Sequence, residues 1–378
     1  MKGLYIHIPF CKHICSYCDF PKIVTFKEAK IKEYVDKLLI EFDNYKEYYK
    51  DVTTVFIGGG TPNAIPSYLL EKLLNKVMEL TKHNNIIEYT IECNPELLNQ
   101  EQVDLFKKYH ITRVSLGAES FNDDILLKLG RHHKKNDIFR SVKLLKENGI
   151  TNINIDLIFG HPFDSLDLVK ENLENFYLLN IPHISYYSMI LEDKTVFKYQ
   201  IENKIITEFD EDLDASLYEY IMKDLKNHGY NQYEISNYAK SGFESKHNML
   251  YWQDLEYIGV GLGASGYLDN VRYTNALNFK DYYDNKLEYK EILSKDETEK
   301  EFMMVGFRMI KGPSKIDFLN RFNVSIYDKF KESIDKLIEE ELIYETETNY
   351  CLTNKGILLA NLVFMEFAWC LQNQSFMN

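Results

Sequence analysis

Residues 4–18 read LYIHIPFCKHICSYC, a short β-branched and aromatic run that ends in three closely spaced cysteines. The run Leu4–Ile8 predicts a strand, and Cys11, Cys15 and Cys18 then fall in the loop that follows it. Half of the six cysteines in the chain lie within these eight positions. Such crowding in a reducing compartment indicates a metal ion or cluster rather than disulfide bonds. The other three are predicted to be small buried apolar side chains: Cys93, Cys351 and Cys370.

Strands alternate with amphipathic helical stretches over the first 230 residues. Five further β-like runs follow the first one: Thr54–Ile57, Glu88–Glu92, Arg113–Leu116, Asn152–Phe159 and His183–Ile190. Because this alternation implies parallel strands joined by right-handed crossovers, it predicts an α/β fold with an open or partial (β/α)6 barrel.

Three segments are predicted along the chain. Residues 1–230 form the barrel core, residues 231–295 a short β and loop extension, and residues 296–378 a mostly helical C-terminal domain. In the last segment a helix over Ile326–Glu341 precedes a predicted hairpin at Leu342–Leu352, an order compatible with a winged-helix-like module. That segment has 9 basic and 14 acidic residues. Its net charge of 9 − 14 = −5 favours packing or a protein partner over DNA.

Composition excludes several classes of protein. The chain has 44 Lys and Arg against 58 Asp and Glu, a net charge of −14, which disfavours nucleic acid as a partner. An apolar content of 45% is ample for a folded core. No apolar run is long enough to form a transmembrane segment, and the N-terminus lacks the pattern of a signal peptide. We therefore expect a cytoplasmic protein, and peripheral contact with a membrane stays open.

Polar and glycine-rich residues follow the predicted strands. The second strand leads into Gly58-Gly59-Gly60-Thr61-Pro62, the third ends at Glu92, the fourth precedes Glu119, and the fifth carries Asp156. The loops at the C-terminal ends of parallel strands converge in a barrel. These residues are therefore predicted to share one rim with the cysteine loop.

Three thiolates in one tight loop can hold three irons of a [4Fe–4S] cluster and leave the fourth iron open. Zinc is the alternative, and it would need a fourth ligand such as His7 or His13. The glycines Gly58, Gly59 and Gly60 let the backbone approach a ligand closely, although a tight turn alone would also use them.

The CxxxCxxC motif followed by GGGTP resembles the radical S-adenosylmethionine (SAM) superfamily, in which the amino and carboxylate groups of SAM chelate the open iron. The resemblance implies a [4Fe–4S] cluster on Cys11, Cys15 and Cys18. It also implies SAM contacts for a set of residues around the rim: Tyr5, Tyr17, Gly59, Gly60, Thr61, Glu92, Glu119, Arg131 and Asp156.

Further segments resemble the oxygen-independent coproporphyrinogen III oxidase group and, within it, the HemW branch of haem chaperones. They include Tyr5–Cys11, Arg113–Gly117, Asn154–Gly160 and the HNxxYW sequence at His247–Trp252. This branch implies haem as a ligand and haem-accepting proteins as partners. It suggests His247 as an iron ligand, with Tyr251 and Trp252 stacking on the porphyrin. The alternative for His247 is a hydrogen-bonded core histidine.

The chain departs from the family pattern at three positions. It has Glu119 where the family usually has Gln, and an ionised Glu cannot donate a hydrogen bond. It has His161 where a small apolar residue is usual. Phe20 stands where the decarboxylating oxidases have a further cysteine, which favours the chaperone branch. Oxidative decarboxylation of coproporphyrinogen III stays as the second hypothesis, and radical modification of RNA or another macromolecule as the third.

Overall fold

A computed structural model describes residues 1–25, 27–207 and 209–368. Its strands are β1 Lys2–Ile8, β2 Phe10–Cys11, β3 Ile23–Val24, β4 Val52–Gly59, β5 Glu88–Cys93, β6 Arg113–Glu119, β7 Ile153–Phe159, β8 His183–Ser188, β9 Asn231–Gln232, β10 Asn237–Ala239, β11 Tyr257–Val260, β12 Ser265–Leu268, β13 Val271–Asn275, β14 Leu287–Ile292, β15 Ile343–Glu345 and β16 Tyr350–Leu352. Cys370, which was predicted to be a buried side chain, lies outside the described residues.

The helices are α1 Glu28–Glu41, α2 Ser67–Thr81, α3 Gln100–Lys108, α4 Asp123–Lys128, α5 Lys135–Glu147, α6 Leu166–Leu179, α7 Val196–Glu202, α8 Glu211–Asn227, α9 Lys246–Trp252, α10 Phe279–Tyr283, α11 Lys295–Gly306, α12 Lys315–Phe322, α13 Ile326–Glu339, α14 Asn354–Leu358 and α15 Ala360–Phe367. Side-chain caps fix where many of them begin. Ser165 accepts the N–H of Leu168 at the start of α6, and Ser294 forms a capping box with Glu297 at the start of α11.

Six strands form the parallel centre of one large sheet. Their order is β1-β4-β5-β6-β7-β8, and every neighbouring pair is parallel. A helix follows each of these strands and covers its outer face, so the predicted (β/α)6 arrangement is confirmed. The core consists of the outward strand side chains and the facing helix side chains, and Ile57, Leu70 and Leu73 belong to the same buried cluster.

Residues 231–292 add strands to both edges of this same sheet. β10 pairs antiparallel with β8 and carries β9. On the opposite edge β11 pairs parallel with β1, and β12, β13 and β14 continue the sheet in antiparallel order. The extension therefore lengthens the barrel wall on either side of the six central strands.

The inward face of the central strands is polar. Register places Glu92 beside Ser115, Ser115 beside Asn154, and Asp156 between Gly117 and Ser185. Because successive strand residues point to opposite faces, apolar residues at the alternate positions face the helices instead. The barrel therefore has a hydrophilic interior that opens at the C-terminal ends of its strands.

The C-terminal helices and the β15–β16 hairpin form a second hydrophobic cluster that includes Phe307, Phe318 and Ile334. Ion pairs join this part to the sheet. Buried Asp254 pairs with Arg272 of β13 at 3.3 Å and with Arg321 of α12 at 2.8 Å. Within the described residues, we find no helix with the length and apolar character needed to cross a membrane.

Candidate functional site

The cysteine loop lies at the mouth of the barrel, against the glycine loop that follows β4. The hydroxyl of Thr61 donates to the Sγ of Cys11 at 3.7 Å. The N–H of Gly60 donates to the carbonyl of Ile8 at 2.9 Å. All three thiols of the loop are free. Burial raises the pKa of Cys11 to about 11, and burial also raises the pKa of Cys18 above its ordinary value. A buried thiol of this kind holds its proton until a metal replaces it.

Arg131 connects the cysteine loop to the strand ends. Its Nη1 donates to the Sγ of Cys15 at 3.5 Å, and its Nη2 donates to the carbonyl of Gly117 at 2.5 Å and to Oδ1 of Asn94 at 3.1 Å. The carboxylate of Glu119 lies 3.8 Å from Nη2. The Nε of this buried guanidinium has no hydrogen-bond partner within the described residues.

Three carboxyl groups converge at the same mouth: Glu119 is buried, and Glu92 and Asp156 are half-buried. Burial, helped by Asp156, raises the pKa of Glu92 to about 8, and burial raises the pKa of Glu119 to about 7 against the attraction of Arg131. Burial also raises the pKa of Asp156, although Ser115 and Asn154 donate hydrogen bonds of 2.8 and 2.7 Å to it. Crowded acids without enough counter-charge favour a ligand that carries positive charge and hydroxyl groups.

Backbone geometry orients the carboxyl groups of Glu92 and Glu119. The N–H of Gly59 donates to Oε2 of Glu92 at 3.0 Å, and its φ of +113° is a conformation that glycine adopts readily. Glu119 has a φ of +61° and lies beyond a register shift between β6 and β7, which turns its side chain toward the mouth.

The two tyrosines predicted for the SAM site lie on either side of these acids. Tyr17 is hydrogen-bonded to Glu119, and burial raises its pKa. Tyr5 shares a hydrogen bond of 3.0 Å with Nδ1 of His7, and burial followed by the charge of Glu92 raises its pKa. Both phenols therefore stay protonated, and each already donates its proton, Tyr17 to Glu119 and Tyr5 to His7, whose Nε2 donates to the carbonyl of Pro21. Their hydroxyl oxygens can accept a hydrogen bond from a ligand.

The residues at the mouth fit a [4Fe–4S] cluster and SAM. A Cβ placed on Gly60 would lie 2.9 Å from the Sγ of Cys11, so the loop leaves room there only because the residue is glycine. The unpartnered Nε of Arg131 suits a carboxylate, and the three acids suit an ammonium, a sulfonium and ribose hydroxyls. Of the two histidines proposed as a fourth zinc ligand, His7 already uses both ring nitrogens, on Tyr5 and on the carbonyl of Pro21.

His247 lies at the opposite end of the barrel interior, where the central strands begin. Its Nδ1 is 2.8 Å from Oγ1 of Thr54, its Nε2 is 2.7 Å from the hydroxyl of Tyr251, and its ring stacks on Phe56. The side chain is fully buried, and burial lowers its pKa to about 3. This is the environment of a hydrogen-bonded core histidine. Along β4, Thr54 and Gly59 are separated by roughly 17 Å.

The rest of the HNxxYW helix faces the interior and the C-terminal domain. Tyr251 packs edge-on against Tyr257, with ring centroids 4.5 Å apart. The guanidinium of Arg308 lies 4.6 Å from the ring centroid of Trp252. The main-chain N–H of His247 donates to Glu88 at 2.9 Å, which anchors the helix to the start of β5.

Sequence reasoning missed the polar residues that line the interior below the mouth. Asn94 positions Arg131, while Ser115, Asn154 and Ser185 position Asp156. The available signal was the polar residue at every second position of the strands, as in Asn154–Asp156 and His183–Ser185–Tyr187. The buried cysteines Cys93 and Cys351 were predicted correctly.

Known proteins resemble this chain over nearly its whole length. The radical SAM superfamily profile matches residues 5–175, and the HemN C-terminal domain profile matches residues 293–359. The chain is 39% identical over 370 residues to the heme chaperone HemW of Lactococcus lactis subsp. lactis, and the match covers 97% of each chain. It is 37% identical to the heme chaperone HemW of Bacillus subtilis, over 97% of this chain and 99% of that one.

A solved structure shares the fold. Coproporphyrinogen III oxidase (HemN) from Escherichia coli, described as a radical SAM enzyme, superposes with a TM-score of 0.84 over 97% of this chain and 89% of its own. The two sequences are 22% identical. This similarity confirms the barrel and the helical C-terminal domain as one known architecture.

Proposed function

This chain belongs to the HemW family of the radical SAM superfamily, and from that membership we propose that it is a haem chaperone. It holds a [4Fe–4S] cluster and SAM at the barrel mouth, binds haem, and passes the haem to recipient proteins. The observation that carries the proposal is identity of 37–39% to proteins named heme chaperone HemW along 97% of the chain.

The residues at the mouth have separate tasks in this proposal. Cys11, Cys15 and Cys18 hold the cluster, which supplies a redox-active iron with one open coordination position. Arg131, whose Nη1 lies 3.5 Å from the Sγ of Cys15, would hold the carboxylate of SAM. Glu92 stays within reach of the glycine loop through its hydrogen bond with Gly59 and accepts hydrogen bonds from the ligand.

Asp156 and Glu119 complete the SAM site. Asp156 is held by Ser115 and Asn154, so its position does not depend on the ligand. Glu119 has a pKa of about 7, so both its protonated and its ionised form are populated near neutral pH. In its protonated form it can donate the hydrogen bond for which relatives use Gln.

Coproporphyrinogen III oxidation is the competing function. The similarity to HemN supports the fold, which both functions share. Phe20 is 56% exposed at the position where that enzyme group has a further cysteine. The absence of that thiol favours the chaperone over the oxidase.

The proposal is tested by haem transfer. Anaerobically purified, cluster-loaded protein is mixed with haem, separated from free haem, and incubated with a haem-free cytochrome. We expect a Soret band on the purified chain that decays as holo-cytochrome forms. A chain that takes up no haem contradicts the proposal. Rescue of a strain without coproporphyrinogen oxidases would contradict it in favour of the oxidase.

A further inference from the structure

Arg308 follows the end of α11, and main-chain hydrogen bonds fix its position against the barrel. The N–H of Ile235 donates to the carbonyl of Arg308 at 3.0 Å, and the N–H of Ile310 donates to the carbonyl of Tyr233 at 3.1 Å. These bonds join the C-terminal domain to the segment between β9 and β10. The backbone that carries the Arg308 side chain is therefore held in place before any ligand arrives.

The guanidinium of Arg308 lies against two aromatic rings. Its central carbon is 4.6 Å from the ring centroid of Trp252 and 5.6 Å from that of Phe364. An arginine in contact with aromatic faces gains cation–π attraction and keeps its N–H donors for other partners. The two rings therefore stabilise the guanidinium without satisfying its hydrogen bonds.

These donors lack a counter-charge in the structure. The Nε of Arg308 is buried and has no hydrogen-bond partner among the described residues. Two other arginines at the junction of the domains, Arg272 and Arg321, pair with Asp254 at 3.3 and 2.8 Å. Arg308 forms no such ion pair in the part of the chain that the structure describes. A buried guanidinium without an acceptor is costly, so it favours the binding of an anionic oxygen.

The nearest acidic side chain, Glu234, does not neutralise Arg308. The carboxyl group of Glu234 accepts a hydrogen bond from the side-chain amide of Asn237, which holds it in place. Burial raises the pKa of Glu234 to about 7 against the attraction of Arg308. Near neutral pH a part of the molecules therefore carries no negative charge at Glu234.

Accessible space for a ligand borders Arg308 inside the barrel. Tyr187 shares the inward face of β8 with Ser185, and its hydroxyl lies within range of the charge of Arg308. Tyr187 is nevertheless 39% exposed, and Tyr251 and Trp252 of α9 are only half-buried. Because these rings keep accessible surface within the barrel, they border an opening that suits a flat apolar ligand.

The other two interior arginines are less suited to an additional anion. Arg113 is only 2% exposed, and its Nη2 lies 3.4 Å from Nδ1 of His183. Arg131 lies at the cysteine loop and is assigned to the carboxylate of SAM. Arg308 is half-buried, so it combines accessible surface with a nitrogen that has no partner in the described residues.

We propose that Arg308 binds a carboxylate of a flat aromatic ligand that lies in the barrel interior between Tyr187 and α9. The inference rests on the proposed haem-chaperone function and specifies the residue that holds a propionate of haem. The macrocycle contacts Tyr251 and Trp252, and the propionate accepts a charge-assisted hydrogen bond from the guanidinium. This assignment concerns the propionate and does not depend on which side chain coordinates the iron.

The test compares haem with haem dimethyl ester, in which both propionates are uncharged. Soret absorbance measures the affinity of each ligand for the oxidised, cluster-loaded chain in saturating SAM, so that Arg131 stays occupied. We expect the wild type to bind haem at least about tenfold more tightly than the ester. Arg308→Met keeps apolar bulk over Trp252 and Phe364, and it should bind both ligands as weakly as the wild type binds the ester. Its iron and sulfide content should be unchanged.

Arg140→Met, at a half-exposed arginine on α5, is the matched control and should retain the full preference for haem. Equal affinity of the wild type for both ligands would overturn the propionate site and leave the proposed function standing, and this comparison needs no variant to fold. A full preference for haem in Arg308→Met would also overturn the site. A wild-type chain that binds neither ligand would overturn the proposed function together with the inference.

Discussion

The Nη1 of Arg131 donates a hydrogen bond of 3.5 Å to the Sγ of Cys15. One guanidinium thus touches a proposed cluster ligand, while its buried Nε has no hydrogen-bond partner among the described residues. This side chain therefore couples the cysteine loop to the place proposed for the carboxylate of SAM. Such coupling requires the planar fork of arginine, because a lysine ammonium offers no second donor in a fixed direction.

Arg131→Lys is therefore expected to weaken SAM binding at least about tenfold although the positive charge is kept. Calorimetric titration of the cluster-loaded chain with SAM measures this loss. Arg140→Lys, at a half-exposed arginine that pairs with Asp137 at 3.1 Å, is the control and should bind SAM normally. Unchanged SAM affinity in Arg131→Lys would remove Arg131 from the site.

Alanine substitutions at Gly58 and at Gly60 should impair the binding of different cofactors. A Cβ on Gly58 would lie 2.9 Å from the carboxyl group of Glu92, whereas a Cβ on Gly60 would lie 2.9 Å from the Sγ of Cys11 and 3.0 Å from the carbonyl of Phe10. We expect Gly58→Ala to weaken SAM binding with full iron content. We expect Gly60→Ala to lose iron, because the rigid backbone carbonyl prevents the new methyl group from turning away from the thiol.

Iron analysis together with SAM titration separates the two variants. Gly149→Ala is the control for a general loss of stability: its Cβ would meet no described atom within 4 Å, but its φ of +84° strains an alanine, and it should retain both cofactors. If Gly60→Ala kept about four irons per chain, the loop would be more tolerant than its contacts indicate.

The six central strands and their loops could be predicted because their signal is local. Each strand is a short β-branched run, and each functional loop follows one directly, so the rim residues were found without knowledge of the strand order. The edge strands were harder to predict from the sequence. β9 and β10 contain two and three residues. β10 pairs with β8, which is more than 40 positions earlier in sequence, and β9 pairs with β10, so pairing rather than propensity creates them.

The environment of His247 could not be predicted for a related reason. One of its ring partners, Tyr251, is four residues away, but the other, Thr54, is 193 residues away. The sequence shows a histidine beside two aromatic residues in either case. Only the tertiary fold reveals that both nitrogens are engaged at the closed end of the barrel.

The pKa of Glu119 predicts a dependence of stability on pH. Burial raises this pKa from its ordinary 4.5 to about 7, so between these values the folded chain binds a proton that the unfolded chain has lost. The free energy of unfolding must therefore fall as the pH rises through this window. Glu119→Gln does not titrate and should lose less stability between pH 5 and 8, by about 2–3 kcal/mol.

Urea unfolding of the SAM-free, cluster-loaded chain at the two pH values measures this difference. Glu219→Gln, at an exposed glutamate on α8, is the control and should follow the wild type. Equal pH dependence in Glu119→Gln and wild type would show that Glu119 ionises normally in the folded chain.

His247→Ala tests whether this histidine is structural. The change would leave the hydroxyls of Thr54 and Tyr251 without their buried partner and open a cavity beside Phe56. We expect the free energy of unfolding to fall by about 2–4 kcal/mol. Because His247 lies at the far end of the barrel from Cys15, iron content and SAM affinity should persist in the folded fraction. Thr54→Val, which removes one hydrogen bond and keeps the shape, should destabilise the chain less.

The Soret band of His247→Ala shows whether this histidine binds haem iron. If the band survives, haem iron is bound elsewhere. If it disappears while stability is unchanged, His247 is the haem ligand predicted from the sequence.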